Sequence, residues 1–330
     1  MADSFKAIIV EEQLDGKFTM RTGEKSINDL PENEVLIRVK YSGLNYKDAL
    51  SATGNKGITK KYPHTPGIDA SGIVAHSSVP DFKEGDEVIV TGYDLGMNTS
   101  GGLAEYIRVP ASWIVKRPVD LSLEESMIIG TSGFTAASGI FEFLQHGLNP
   151  EDGEVLVTGA TGAVGSIAVA MLAKCGFSVC AVTGKESAVE WLKELGATRI
   201  INRQEADDQT GRPLLKARWS AVLDTVGGNM LSTAIRSTKE RGIITNCGMI
   251  ASNTIDVSVF PFILRAVRLI GIASAETPMM RRLEIWNLIT SRLKPENLNS
   301  IARKITLEQC PDELMKMLSG NQQGKVIVEL

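Results

Sequence analysis

The chain has 330 residues, which at roughly 100–200 residues per domain suggests about two domains. Lys and Arg number 35 against 39 Asp and Glu, a net charge of −4, which argues against a protein that grips nucleic acid by its phosphates. Hydrophobic residues at 43% and charged residues at 22% are ordinary globular usage, and four cysteines without a C-x-x-C pair exclude a disulfide scaffold and argue against structural zinc.

The opening MADSFKAIIV lacks a basic start ahead of an apolar run, so no signal peptide is indicated. The runs KAIIVEE, EVLIRVKY, ASGIVAHS, DEVIVTG and AEYIRVP then read as strands. Turns separate them at Leu30-Pro31, His64-Thr65-Pro66-Gly67, Glu84-Gly85-Asp86 and Ser100-Gly101-Gly102. Many short strands with frequent turns predict a barrel or sandwich. Met127 to Leu144 is apolar, but Gly130, Gly133, Gly139 and Glu142 interrupt it, so it is not read as a membrane span.

From Glu151 to Gly248 the rhythm changes. GEVLVTG, FSVCAVTG, TRIIN, SAVLDTVG and GIITNCG read as strands, and AVGSIAVAMLAKCG, ESAVEWLKELG and NMLSTAIRSTKERG as helices. Gly176, Gly196 and Gly242 stand where the helices are expected to stop. This alternation predicts a parallel sheet with helices on both faces, and VRLIGIAS adds a strand. The tail from about Lys294 reads strand, helix, strand. It is too short for its own core and is expected to fold back onto the N-terminal domain.

The strongest local signal is VLVTGATGAVG, Val155 to Gly165. Gly159 permits a tight turn, Gly162 lets the backbone approach a pyrophosphate, and Gly165 allows close helix–strand packing. Free N–H groups at the helix start favour phosphate charge. The spacing G-x-x-G-x-x-G is looser than G-x-G-x-x-G. Strand, turn, helix and second strand still fall in the expected order, so dinucleotide binding is preferred over a structural turn. The second strand ends at Thr183-Gly184-Lys185, where an NAD site usually carries an acid for the ribose hydroxyls. A hydroxyl and an ammonium attract a 2′-phosphate that a carboxylate would repel, and Arg203, after the next strand, adds a second charge. This favours NADP. The alternative is that Lys185 and Arg203 are ordinary solvated charges.

Other chemistries lack their residues. All five tyrosines precede the glycine turn and none has Lys four residues later, against a short-chain dehydrogenase. The three histidines form no H-E-x-x-H pair, the N-terminal region holds no cysteine, and no G-x-S-x-G elbow is present.

The order of elements resembles the medium-chain dehydrogenase/reductase superfamily. The likeness is carried by Asn45-Tyr46-Lys47-Asp48, Pro66-Gly67-Ile68-Asp69, Phe82 to Val88, Gly101 to Tyr106, Gly130 to Ala136, Asp224 to Gly228 and Pro261 to Arg265. These strings look like the zinc-free quinone oxidoreductase branch, and within it the acrylyl-CoA reductase subgroup. The resemblance implies an α/β fold. A GroES-like β-barrel catalytic domain would span 1–126 and 296–330, and a Rossmann doubly wound parallel-sheet NADP-binding domain 127–295. It implies NADPH-dependent reduction of an activated C=C bond, acrylyl-CoA to propanoyl-CoA, without a metal. The nicotinamide would lie between the domains and meet Tyr46. Cofactor contacts carry over to Thr161, Gly162, Ala163, Val164, Thr183, Gly184, Lys185 and Arg203. They extend to Met249, Ile263 and Ser274, and to Lys325 of the final G-K string. A homodimer is implied, with the edge strand near Leu269–Ile272 extending the sheet.

Hydride addition to the β-carbon of an unsaturated thioester builds negative charge on the thioester oxygen, so donors must face that oxygen. Tyr46 and Asn45 are the candidate catalytic donors, with Asp48 orienting Lys47 or a backbone amide. A bare N-Y-K-D string also fits a simple turn. Arg265, Arg268, Arg303 and Lys304 are candidate partners for CoA phosphates. The rival functions are a quinone or enone reductase and a non-catalytic NADPH-binding protein. Partners are expected to be a small-molecule substrate, an enoyl-CoA or quinone, with neither nucleic acid nor membrane. Free thiols fit a cytoplasmic location.

Overall fold

The structure is a computed structural model that describes residues 4–330; the first three residues of the expected first domain lie outside the described residues. The chain runs β1 (Ser4–Glu12), β2 (Phe18–Ser26), β3 (Val35–Gly43), α1 (Tyr46–Ala52), β4 (Asp69–Ser77), β5 (Glu87–Thr91), β6 (Tyr106–Val109) and β7 (Ile114–Lys116). It continues with α2 (Leu123–Gln145), β8 (Val155–Val157), α3 (Ala163–Lys174), β9 (Val179–Val182), α4 (Val189–Glu194), β10 (Arg199–Ile201), β11 (Trp219–Asp224), α5 (Gly228–Ser237) and β12 (Thr238–Asn246). It ends with α6 (Phe260–Arg265), β13 (Arg268–Gly271), α7 (Met279–Leu288), β14 (Ala302–Thr306), α8 (Cys310–Leu318) and β15 (Lys325–Glu329).

The elements form two compact units. The first holds the chain up to Thr131, Ala275–Leu283 and Leu298–Leu330; the second holds Ser132–Ser274 and Glu284–Asn297. Residues 275–283, expected in the second domain, therefore pack with the first.

The first unit is built on a seven-stranded sheet of order β14-β15-β3-β4-β5-β7, with β6 also paired to β3, beside the β1-β2 hairpin. β3 explains this centrality. Val35, Ile37 and Val39 alternate onto one face and join Val74, Val88, Val90 and Ile107. Leu36 points the other way, into a cluster with Phe5, Ala7 and Leu30. A strand with apolar side chains on both faces needs cover on both, and the clusters on either side of β3 supply it. Each such side chain contributes about 1.5–3 kcal/mol of burial. The tail returns as expected: β15 lies between β14, to which it is parallel, and β3, to which it is antiparallel.

The second unit is one parallel sheet of order β10-β9-β8-β11-β12-β13. β8, β9 and β11 are buried throughout, as central parallel strands require. The order reverses between β8 and β11, and ligands of doubly wound sheets bind outside the carboxyl ends of the strands at such a point.

Some local expectations change. The helix expected to reach Gly242 stops at Ser237, and Gly242 lies in β12. Thr238 and Ser237 turn their hydroxyls back to the carbonyls of Ala234 and Thr233, at 2.7 and 2.6 Å, and the chain then goes extended. β2, α1, β7, α2, α6 and α7 stand outside the elements read from the sequence. α2 is long and apolar enough to cross a membrane by length and composition, yet 78% of its apolar window is buried inside the fold. Gly130 interrupts it with φ 46° and ψ −157°.

Candidate functional site

The glycine turn leaves β8 and enters α3. Gly159 has φ 58°, and a Cβ there would stand 2.3 Å from Thr225 Oγ1. A Cβ on Gly165 would meet Gly159 O at 2.4 Å and Ala160 Cα at 2.8 Å, so helix and turn touch backbone to backbone. Gly162 differs. It is the N-cap of α3 with an ordinary φ of −76°, it is exposed, and a Cβ would meet nothing nearer than Gly159 O at 3.4 Å. The protein does not need glycine there, but a group approaching the helix start would. Thr161 is buried, and Ala163 and Val164, the first helical residues, are half-buried.

The switch point is tied together by Asp224, at the end of β11. Its carboxylate accepts from Thr158 Oγ1 at 2.6 Å, Gly227 N at 2.8 Å and Asn246 Nδ2 at 2.7 Å, joining the ends of β8, β11 and β12. Burial raises its pKa, and these hydrogen bonds oppose that rise. Sequence reasoning noted Asp224 only as part of a family string.

Thr183, Gly184 and Lys185 follow β9, and Arg203 follows β10, one strand over. Thr183 is buried, and its hydroxyl accepts the Lys185 N–H at 3.0 Å. Arg203 lies against Gly184, where a Cβ would stand 2.9 Å from its Nε. The Lys185 ammonium is held below its usual range, first by burial and then by the Arg203 charge. Two like charges side by side at a strand end favour a bound anion. Met249 is exposed in the segment after β12, and Ile263 is exposed on α6. Ser274 is half-buried beyond β13, its hydroxyl 2.7 Å from Thr135 Oγ1. A separate hollow of about 220 Å³, lined by Glu205, Asp208, Lys216, Arg218 and Trp219, reaches the amino end of β11, away from the strand ends where dinucleotides bind.

In the first unit, Tyr46 is the first residue of α1, half exposed, and its phenol has no hydrogen-bond partner among the described residues. Asn45, the N-cap, is buried. Its Nδ2 donates to Gly43 O at 2.9 Å and Asp69 Oδ2 at 2.8 Å, and its Oδ1 accepts from Lys325 Nζ at 3.0 Å. Both amide hydrogens are spent inside the protein, so Asn45 is not placed to donate to a substrate oxygen as expected. Lys325 is also corrected. Its side chain is 0% exposed, and its ammonium donates to Leu44 O, Asn45 Oδ1 and Asp69 Oδ2 at 3.1, 3.0 and 3.3 Å rather than facing a ligand. Asp48 takes the second role foreseen for it, accepting the backbone N–H groups of Asn45 at 2.7 Å and Ile68 at 2.9 Å. Burial, reinforced by the Asp69 charge, raises its pKa to about 7. Sequence reasoning did not single out Asp69 as a site residue.

The candidate CoA cations are largely engaged. Arg265 donates to the carbonyls of Arg236, Thr238 and Leu215. Arg303 pairs with Glu313, and Lys304 with Glu124 and Glu329. Arg268 is exposed on β13.

Two family descriptions match the chain: the alcohol dehydrogenase GroES-like domain over residues 31–119 and zinc-binding dehydrogenase over 163–290. The donor set does not fit zinc. Among the described residues no three His, Cys, Asp or Glu side chains gather to hold a metal, and Cys180 and Cys310 are buried in apolar clusters. YhfP of Bacillus subtilis, which carries the provisional name quinone oxidoreductase, is 44% identical over the full length of both chains. The crystal structure of B. subtilis yhfP with NAD bound matches with a TM-score of 0.97, covering 100% of each chain. Acrylyl-CoA reductase AcuI of Ruegeria pomeroyi is 38% identical over 99% of both chains. The yhdH oxidoreductase of Salmonella enterica, solved in complex with NADP, is 42% identical with a TM-score of 0.95, covering 98% of this chain and 99% of that one. The chain belongs to the medium-chain dehydrogenase/reductase superfamily, in its quinone oxidoreductase and acrylyl-CoA reductase branch.

Proposed function

We propose that this protein is an NADPH-dependent oxidoreductase that reduces the C=C bond of an α,β-unsaturated thioester, acrylyl-CoA to propanoyl-CoA. The observation that supports the cofactor reading is the Thr183–Lys185–Arg203 corner, where the Arg203 charge stands beside the Lys185 ammonium after β9 and β10, a pairing that suits a 2′-phosphate. Full-length similarity to an acrylyl-CoA reductase supports the substrate class.

When bound, NADPH supplies the hydride for the β-carbon. The chain's residues bind and orient. The N–H groups at the start of α3 and the bare face of Gly162 receive the pyrophosphate, and Thr161, Ala163 and Val164 line its approach. Lys185 and Arg203 hold the 2′-phosphate, while Met249, Ile263 and Ser274 contribute near the nicotinamide. The Tyr46 phenol, exposed and without a hydrogen-bond partner among the described residues, donates a hydrogen bond to the thioester oxygen as charge develops there, and the enolate so formed takes a proton from solvent at its α-carbon.

A quinone reductase is the second reading. It is favoured by the engagement of Arg265, Arg303 and Lys304 within the protein, which leaves fewer cations for CoA phosphates. We also infer a cytoplasmic homodimer. β13 pairs with β12 and ends the sheet, and Val259, Phe260 and Leu264 expose apolar side chains on the adjoining α6 segment. The four cysteines are free.

The test is NADPH oxidation with acrylyl-CoA and with 1,4-benzoquinone, repeated with NADH and with Lys185→Ala. A kcat/KM for acrylyl-CoA at least about a hundredfold higher, about 2.7 kcal/mol of discrimination, is expected. Quinone preference selects the second reading, and turnover of neither refutes both. Lys185→Ala is expected to raise KM for NADPH and not for NADH.

A further inference from the structure

Asp69 is fully buried at the start of β4, and its carboxylate is the meeting point of three distant stretches. Oδ2 accepts from Asn45 Nδ2 at 2.8 Å and Lys325 Nζ at 3.3 Å, and Oδ1 accepts from Thr131 Oγ1 at 2.6 Å. The Thr131 N–H lies 3.0 Å from both oxygens. Two glycines wall the cluster. A Cβ on Gly130 would stand 2.5 Å from Asp69 Oδ2, and one on Gly43 would stand 2.9 Å from Lys325 Nζ. Such a buried pair is costly to assemble and rigid once every partner is in place. Its outlet is Asn45: the residue it grips is the N-cap of α1, and the next residue is Tyr46.

We propose that Asp69, with Lys325 as its counter-ion, is a positioning residue for the reaction, holding Asn45 so that α1 presents the Tyr46 phenol in one orientation. This rests on the reductase reading, in which Tyr46 touches the substrate. Lys325 then serves the site from inside the protein. Two glycines next to the pair are required because any side chain at 43 or 130 would displace the ammonium or the carboxylate.

Two measurements test it, one independent of activity. In protein labelled with 3-fluorotyrosine, the Tyr46 ¹⁹F resonance is assigned with Tyr46→Phe. Asp69→Asn is expected to shift or broaden that resonance while Tyr93 and Tyr106 keep theirs; an unmoved Tyr46 resonance overturns the proposal even if no substrate is turned over. The second is a double-mutant cycle on kcat, with whichever of acrylyl-CoA and 1,4-benzoquinone is reduced. Asp69→Asn is expected to lower kcat at least tenfold with the NADPH dissociation constant within twofold. Combined with Tyr46→Phe it is expected to add nothing to the loss from Tyr46→Phe alone. Additive losses overturn the proposal. If Asp69→Asn does not fold, Asn45→Ser carries the same two expectations, since serine is also a favoured N-cap residue and removes the amide that links α1 to the Asp69–Lys325 pair.

Discussion

Single residues decide what the glycine turn is for. Gly165 and Gly162 look alike in the sequence, but only Gly165 is pressed against backbone. Gly165→Ala is expected to cost about 1–3 kcal/mol in urea unfolding, because Gly159 O and Ala160 cannot retreat. Gly162→Ala is expected to stay within about 0.5 kcal/mol of wild type. It should nevertheless weaken NADPH binding at least tenfold by nicotinamide fluorescence, since its methyl would occupy the pyrophosphate's space. Equal stability losses would mean that both glycines are merely structural. The motif was legible because its seven residues are consecutive and each role is local. The Asp69–Lys325 pair was not, because its partners are 256 residues apart.

At the scale of elements, α1 shows how a short helix is held. It has seven residues, too few to be stable alone, and Asp48 secures its first turn from within the buried cluster. That carboxyl has its pKa raised to about 7 from 3.8, so between those values the folded protein keeps a proton that the unfolded chain releases. Its contribution is fully present below about pH 4 and lost as pH rises to about 7. Asp48→Asn cannot ionise. Relative to wild type, the variant is expected to gain stability on the order of 2 kcal/mol between pH 5 and pH 8, read from urea midpoints. No change with pH would show that Asp48 ionises as readily in the folded protein as in the unfolded chain. The same scale explains the missed elements. β2 carries Arg21, Glu24 and Lys25 and pairs with β1, so its apolar alternation is weak. α5 and β12 abut without a turn, and only the hydroxyls of Ser237 and Thr238 mark the change.

For the whole molecule, the open edge at β13 is the feature to test. Wild type is expected to sediment at twice the 35.6 kDa chain mass. Leu264→Glu together with Val259→Glu, both exposed on the α6 segment, is expected to give the monomer without lowering thermal stability. A wild-type monomer, or a dimer that survives both charges, would place any association elsewhere.

The sequence by itself determined the parallel βα unit, the glycine turn, the missing acid after β9 and the tail's three elements, because each is written in consecutive residues or in a short period. The tertiary structure alone decided which polar side chains are free to meet a ligand. Asn45, Lys325, Arg265 and Arg303 carry the right chemistry in the sequence, and the fold spends each on an internal partner. Lys185 and Arg203 are brought side by side at the ends of the adjacent strands β9 and β10. The reason is physical: a buried polar group must find a partner wherever the chain supplies one, and the partners that β3, β4 and β15 bring together are far apart in sequence.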